Sequence, residues 1–148
     1  MTGKADFTES EWKVVAEGPP TAGLIVLTAQ RGGTFSETLA IAKTYVEARK
    51  HHGESELLDE IVSARPEIDR TRYHSAEELK EHGLQHLHDA VELLQSKATP
   101  EELDAYKRFV LDVADKVANA HRESGASVSD SERAAIEAIA ANLGTTAP

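Results

Sequence analysis

Four short motifs in this chain mark the places where helices are expected to begin. Each has the form of a capping box, a Ser or Thr followed three residues later by Glu, whose hydroxyl and carboxylate accept hydrogen bonds from unpaired N–H groups of the first helical turn. The four are Thr8-x-x-Glu11, Ser75-x-x-Glu78, Thr99-x-x-Glu102 and Ser129-x-x-Glu132. With four marked helix starts, the chain is predicted to fold into helices.

Apolar residues recur at helical spacing after three of these starts. The helix from Thr99 to about Arg122 has an apolar face made of Leu103, Tyr106, Val110, Val113, Val117 and Ala120. The helix from Ser75 to about Lys97 repeats the pattern with Leu84, Leu87, Val91 and Leu94. The last helix, before Gly144, does so with Ile136, Ile139, Ala140 and Leu143. All three are predicted to be amphipathic helices that bury one face.

The first half of the chain is predicted to add four helices, which makes seven in all. One runs from Phe35 to near Gly53 and a short one lies before Pro66. A first helix from Glu9 to Glu17 is expected to stop at the Gly-Pro-Pro of residues 18–20, because proline lacks an N–H and clashes with the preceding turn. Residues 22–29 fit a buried strand or a buried helix, and helix is favoured because no other segment offers a strand partner.

Length, charge and cysteine content limit the class of protein further. The 148 residues fit one domain, residues 1–148, with ends at 1–6 and 145–148 that are expected to fray. The formal charge of −10 disfavours nucleic acid and anionic membrane surfaces as partners, and favours cations and basic protein surfaces. The chain has no cysteine and no apolar run long enough to cross a bilayer. We therefore expect a cytoplasmic protein without membrane insertion.

Two stretches of the chain look like versions of each other and suggest an internal pseudo-repeat. Residues 22–45 and 110–143 each contain an apolar helix, a glycine-containing loop, a hydroxyl cap and an amphipathic helix. The second stretch resembles the helix-loop-helix of the tellurite-resistance TerB-like family, whose loop reads Asp-Gly-x-hydrophobic-Ser-x-x-Glu. The matching residues are Val128, Ser129, Glu132, Ile136, Ile139, Ala140, Leu143 and Gly144.

This resemblance implies a single all-helical TerB-like domain and a role as a bacterial stress-associated accessory protein. Some members of the family hold divalent cations through loop acids. In this chain the acid position before the glycine falls on Gly32 or Arg31 in the first loop and on Ser124 in the second. The resemblance therefore extends to the fold, and the family's metal ligands are not carried over.

A separate candidate metal site comes from Glu78, His82 and His86, which are spaced four apart and so lie on one side of a helix. Imidazole and carboxylate together suit zinc, nickel, cobalt or iron(II), so a divalent metal ion is the candidate cofactor. A complete site needs a fourth ligand or water. The alternative is a histidine-rich face that is simply solvated.

A second candidate site is a cationic patch formed by Arg65, Arg70, Arg72, Tyr73 and His74. Guanidinium groups could bind an acidic partner or a phosphate. The alternative is a solvated connector whose arginines pair with neighbouring acids.

The sequence favours a binding protein over an enzyme, because no nucleophile motif or metal fingerprint is present. The leading hypothesis is a non-catalytic accessory protein that binds a protein partner or a divalent cation. The first alternative is a histidine-dependent metalloprotein or metallo-hydrolase. The second is a homo-oligomeric helical scaffold, held together by the apolar stripe from Leu103 to Ala120.

Overall fold

The computed structural model describes residues 4–29, 35–50, 56–63, 75–123 and 130–144. These residues form six α-helices, a 3-10 turn at Lys4–Asp6 and no strand. The helices are α1 Glu9–Ala29, α2 Phe35–Arg49, α3 Glu56–Ser63, α4 Ala76–Lys97, α5 Pro100–Glu123 and α6 Asp130–Leu143. None of them is both long and apolar enough to span a membrane. The all-α prediction is confirmed, with six helices instead of seven; the loops of the suggested repeat lie outside the described residues.

Capping interactions hold the helix starts where the sequence places them. At α1 the Thr8 N–H donates to Glu11 Oε1 (2.9 Å) and the Glu11 N–H donates to Thr8 Oγ1 (3.2 Å). Thr99 and Glu102 exchange the same two bonds at α5 (3.1 and 3.2 Å). At α4, Ser75 Oγ accepts from the N–H three residues on (3.0 Å). Ser129 lies outside the described residues.

Helix α1 differs from the prediction, because it continues through Pro19 and Pro20 to Ala29. The expected stop at residues 18–20 is therefore wrong. Two prolines inside a helix remove two backbone donors and cost several kcal/mol in isolation, with about 3 kcal/mol per proline typical. Burial outweighs this cost, since residues 17–27 are all buried against other helices. Residues 22–29 are helical, as predicted.

Helix α1 lies at the centre of the bundle. It packs along α4 and α5, and it also contacts α2 and α6. Two glycines allow this close packing. A Cβ at Gly83 of α4 would come within 2.8 Å of Ile25 Cδ1, and a Cβ at Gly23 of α1 within 2.7 Å of Ile41 Cδ1. Helix α1 therefore contributes side chains and backbone to most of the core.

The apolar stripe of α5 is buried inside the chain. Tyr106, Val110, Val113 and Val117 each have 0% exposure, and the stripe's two ends are partly buried. The Tyr106 hydroxyl reaches the backbone of α1. Since this stripe is covered by the protein's own helices, it does not supply the surface that a homo-oligomer would need.

The N-terminal turn is fixed to the far end of α4. Lys97 Nζ donates to the Asp6 carbonyl oxygen (2.9 Å) and to Glu11 Oε1 (3.1 Å), and it lies 5.3 Å from the centre of the Phe7 ring. Phe7 is buried against the Trp12 ring, with their centroids 5.7 Å apart. Residues 4–6, which belong to the segment expected to fray, thus have a defined place beside α4.

Candidate functional site

The solvent-facing side of α4, the helix that holds the candidate metal residues, carries a group of charged and polar side chains. We call this side the α4 face and define it by Glu77, Glu81, Gln85, His88, Asp89 and Glu92, all of which are exposed. The opposite side of α4 is buried through Leu79, Leu87, Val91 and Leu94. The helix contains five carboxylates against two lysines. The α4 face is therefore an acidic strip backed by the core.

Hydrogen bonds along the helix order this strip. Gln85 Nε2 donates to Asp89 Oδ1 (3.0 Å), and His88 Nε2 lies 3.1 Å from Glu92 Oε1. Pairs four residues apart on an exposed helix stabilise it by about 0.2–0.5 kcal/mol each. Each contact uses one oxygen of its carboxylate, so the second oxygen of Asp89 and of Glu92 can accept from a donor outside the chain.

The three residues of the candidate metal site lie in different environments. His82 is exposed and Glu78 is half-buried, whereas the His86 ring turns toward α1, where its Nε2 lies 2.8 Å from the Val14 carbonyl oxygen. Within the described ranges, no three His, Cys, Asp or Glu side chains are arranged to hold a metal ion. The metal role of Glu78, His82 and His86 stays a prediction.

His86 has a structural contact that the sequence did not reveal. A carbonyl oxygen can only accept a hydrogen bond, so Nε2 carries the proton and donates it to Val14. A neutral His86 then has only Nδ1 left for a metal. His86 therefore joins α4 to α1, and a substitution there changes the packing of two helices.

The patch of Arg65, Arg70, Arg72, Tyr73 and His74 lies outside the described residues, as do the two loops of the TerB-like resemblance. Its role in binding an acidic partner or a phosphate stays a prediction.

A second acidic group lies between α2 and α5. Burial raises the pKa of Asp112, Lys116 opposes this shift, and the nearby carboxylates of Asp115 and Glu47 add to it. Asp112 is nevertheless exposed to solvent. The Asp112 carboxylate is therefore disfavoured in its ionised form by partial burial and, to a smaller extent, by repulsion from its neighbours, and Lys116 partly offsets both.

Sequence reasoning missed the polar contacts between distant helices. The Tyr106 hydroxyl donates to the Val15 carbonyl oxygen (2.7 Å) across 91 residues of sequence, and both residues are fully buried. One signal for this contact was present in the sequence. A helix that contains Pro19 leaves the Val15 carbonyl without its usual partner, and that carbonyl needs another donor.

Comparison with known protein families, curated protein sequences and solved structures finds no match to this chain. The function of the α4 face therefore has to follow from the chemistry of its own side chains.

Proposed function

We propose that this protein is a non-catalytic helical binding module, and that it engages a basic protein surface through the α4 face. The observation that carries the proposal is the uneven distribution of charge on α4, where the exposed side is acidic and the opposite side is fixed in the core. A rigid strip of one charge favours fast, oriented association with a surface of the opposite charge.

The dimensions of the strip suit a helix or an extended segment of a partner. At a rise of 1.5 Å per residue, the distance from Glu77 to Glu92 is about 22 Å. The complementary surface would carry lysines or arginines spaced over the same length. Charge steering of this kind weakens with salt, because exposed charges are screened beyond about 8 Å at physiological ionic strength.

Binding of a basic peptide tests the proposal. The probe is a fluorescein-labelled peptide of about 20 alternating lysines and alanines, titrated with the protein at low and at physiological salt by fluorescence anisotropy. The test variant is E77Q/E81Q/E92Q. The control variant E56Q/D104N/E137Q removes the same number of charges from exposed positions on three other helices.

The two variants separate a local site from the overall charge of −10. Three exposed ion pairs at about 0.5 kcal/mol each predict roughly 10-fold weaker binding for the α4 variant and a smaller salt dependence. The control is expected to change the Kd less than about 2-fold. Equal weakening in both variants would mean that only net charge matters, and the proposal would be wrong.

A metalloprotein or metallo-hydrolase using Glu78, His82 and His86 is the competing function. Thermal melts of EDTA-treated protein with Zn²⁺, Ni²⁺, Mn²⁺, Ca²⁺ or Mg²⁺ distinguish the two. A metal at 100 times its Kd stabilises a fold by about 2.7 kcal/mol, which is roughly 5–10 °C at this size. The test variant is E78Q/H82A, which leaves the His86 contact with α1 intact. A zinc shift that disappears in E78Q/H82A would favour the metalloprotein.

We further propose a stress-associated accessory role for this binding module, and this part rests on the TerB-like resemblance alone. An accessory role predicts that cells expressing the protein survive tellurite better than cells expressing E77Q/E81Q/E92Q. Light scattering addresses the scaffold alternative, for which a mass well above the 16.0 kDa of one chain is expected.

A further inference from the structure

The Gly-Pro-Pro segment at residues 18–20 interrupts the backbone hydrogen bonding of α1. In an α-helix the N–H of residue i donates to the carbonyl of residue i−4, so residues 19 and 20 would donate to Val15 and Ala16. Prolines have no N–H, and the Val15 carbonyl therefore needs another donor. Helix α1 is continuous from Glu9 to Ala29, but it lacks two backbone hydrogen bonds at this segment.

Tyr106 of α5 supplies the missing donor. Its hydroxyl donates to the Val15 carbonyl oxygen at 2.7 Å, inside the core. Burial raises the pKa of Tyr106, so the hydroxyl keeps the proton that it donates. Leaving a buried carbonyl without a partner is costly, which makes this bond more important than an average one.

Gly18 provides the space that Tyr106 occupies. A Cβ at residue 18 would lie 3.3 Å from Tyr106 Cζ and would collide with the hydroxyl. Because residue 18 is glycine, Tyr106 can approach α1 closely. Its hydroxyl then takes the place of the N–H that Pro19 lacks. On the α4 side, His86 donates to the neighbouring Val14 carbonyl.

We propose that residues 18–20 form a hinge in α1, and that the Tyr106 hydroxyl is the latch that holds the hinge in its packed geometry. Opening the latch loosens the middle of α1 while the other helices stay folded. This device is independent of the partner binding proposed for the α4 face, because it lies in the core.

Hydrogen–deuterium exchange measured by mass spectrometry tests the latch. The readout is the exchange rate of peptides covering residues 14–28, with peptides from residues 132–143 of α6 as the internal reference. Tyr106→Phe is expected to speed exchange in residues 14–28 by about 10-fold relative to α6, since it removes only the donor. Tyr45→Phe is the matched control, because its hydroxyl is buried in the same core and bonds to no described group.

Testing Tyr106→Phe in the Pro19→Ala variant distinguishes loss of the hydrogen bond from a general loss of packing. Pro19→Ala restores an N–H that can donate to Val15, so Tyr106→Phe in that background is expected to change exchange less than about 2-fold. Gly18→Ala, which displaces the hydroxyl without removing it, is expected to resemble Tyr106→Phe. The proposal fails if Tyr106→Phe speeds exchange equally in α1 and α6, or equally with and without Pro19.

Discussion

Two tyrosines in the core show that a buried hydroxyl group can either stabilise or destabilise a fold, depending on whether it is hydrogen-bonded. Tyr45 and Tyr106 are both almost completely buried, at 1% and 0% exposure. Burial raises the pKa of both, so both remain protonated. The Tyr106 hydroxyl donates to Val15, whereas the Tyr45 hydroxyl has no hydrogen-bond partner among the described residues. A buried polar group costs free energy unless it is paired.

Removing each hydroxyl is therefore predicted to change stability in opposite directions. Tyr106→Phe leaves the Val15 carbonyl unpaired and should lower the free energy of unfolding by about 1–3 kcal/mol. Tyr45→Phe deletes an unpaired group and keeps its ring contact with Phe109, at 5.3 Å between centroids, so stability should stay the same or rise. Urea denaturation measures both. A loss of similar size in the two variants would show that the hydroxyls are equivalent.

At the scale of elements, the contact between the N-terminal turn and the end of α4 depends on Lys97. Its ammonium group joins the Asp6 carbonyl, the Glu11 carboxylate and the Phe7 ring. Glu11 is also the carboxylate of the α1 capping box. One lysine therefore connects the start of α1 to the end of a helix that is distant in sequence.

Lys97→Ala is predicted to loosen this corner without unfolding the bundle. The ion pair with Glu11 is partly exposed, so we expect only a small loss of stability. Trp12 is the only tryptophan in the chain and packs on Phe7, so its fluorescence should shift to longer wavelength as the corner takes up water. Lys80→Ala, an exposed lysine on the same helix, is the control. An unchanged Trp12 spectrum would contradict a fastening role for Lys97.

The same corner should respond to acid through Glu11. The Thr8 backbone N–H, followed by Lys97, lowers the pKa of Glu11. Because its pKa is lowered, ionised Glu11 stabilises the fold fully at pH values above the ordinary pKa of about 4.5. This contribution is lost as the pH falls through the lowered pKa. Glu11→Gln should melt below the wild type at pH 7 and approach it in acid. Glu9→Gln makes the same charge change at an exposed position in the first turn of α1 and is the control.

Local patterns in the sequence were sufficient for most elements and insufficient for contacts between them. The capping boxes and apolar spacing placed α4 and α5 almost to the residue, because these signals act within one or two turns. The continuation of α1 through Pro19 could not be predicted the same way, since its compensating donor lies on Tyr106. The spacing of four residues made His86 a candidate metal ligand, because that signal is local. Its contact with Val14 joins residues 72 positions apart, and no local pattern could predict it.

On the scale of the whole molecule, excess negative charge opposes compaction. The formal charge is −10, and at Asp112, between α2 and α5, partial burial raises the pKa and repulsion from the Asp115 and Glu47 carboxylates adds to it. Its raised pKa means that the ionised form destabilises the fold at neutral pH. This penalty shrinks as the pH falls through the raised pKa and is gone below the ordinary value of about 3.8, where the group is protonated in both states. Removing the charge of Asp112 should therefore raise the stability of the fold at neutral pH.

Asp112→Asn is accordingly predicted to raise the melting temperature at pH 7 by about 1–3 °C, the range of an exposed charge interaction. The gain should shrink toward pH 4, and high salt should remove the part that comes from repulsion but not the part that comes from burial. Asp104→Asn makes the same charge change at another exposed position of α5 and should give a smaller gain. Equal gains from both variants would assign the effect to net charge alone.

The central position of α1 has a consequence for the order of events during synthesis. This helix packs on α4, α5 and α6, which the ribosome produces later. More than a hundred residues separate the end of α1 at Ala29 from the end of α6 at Leu143. At a synthesis rate of about 5–20 residues per second, α6 is completed roughly 5–25 s after α1. During that interval part of the α1 surface lacks its native cover, and the bundle is complete only when α6 can pack on it.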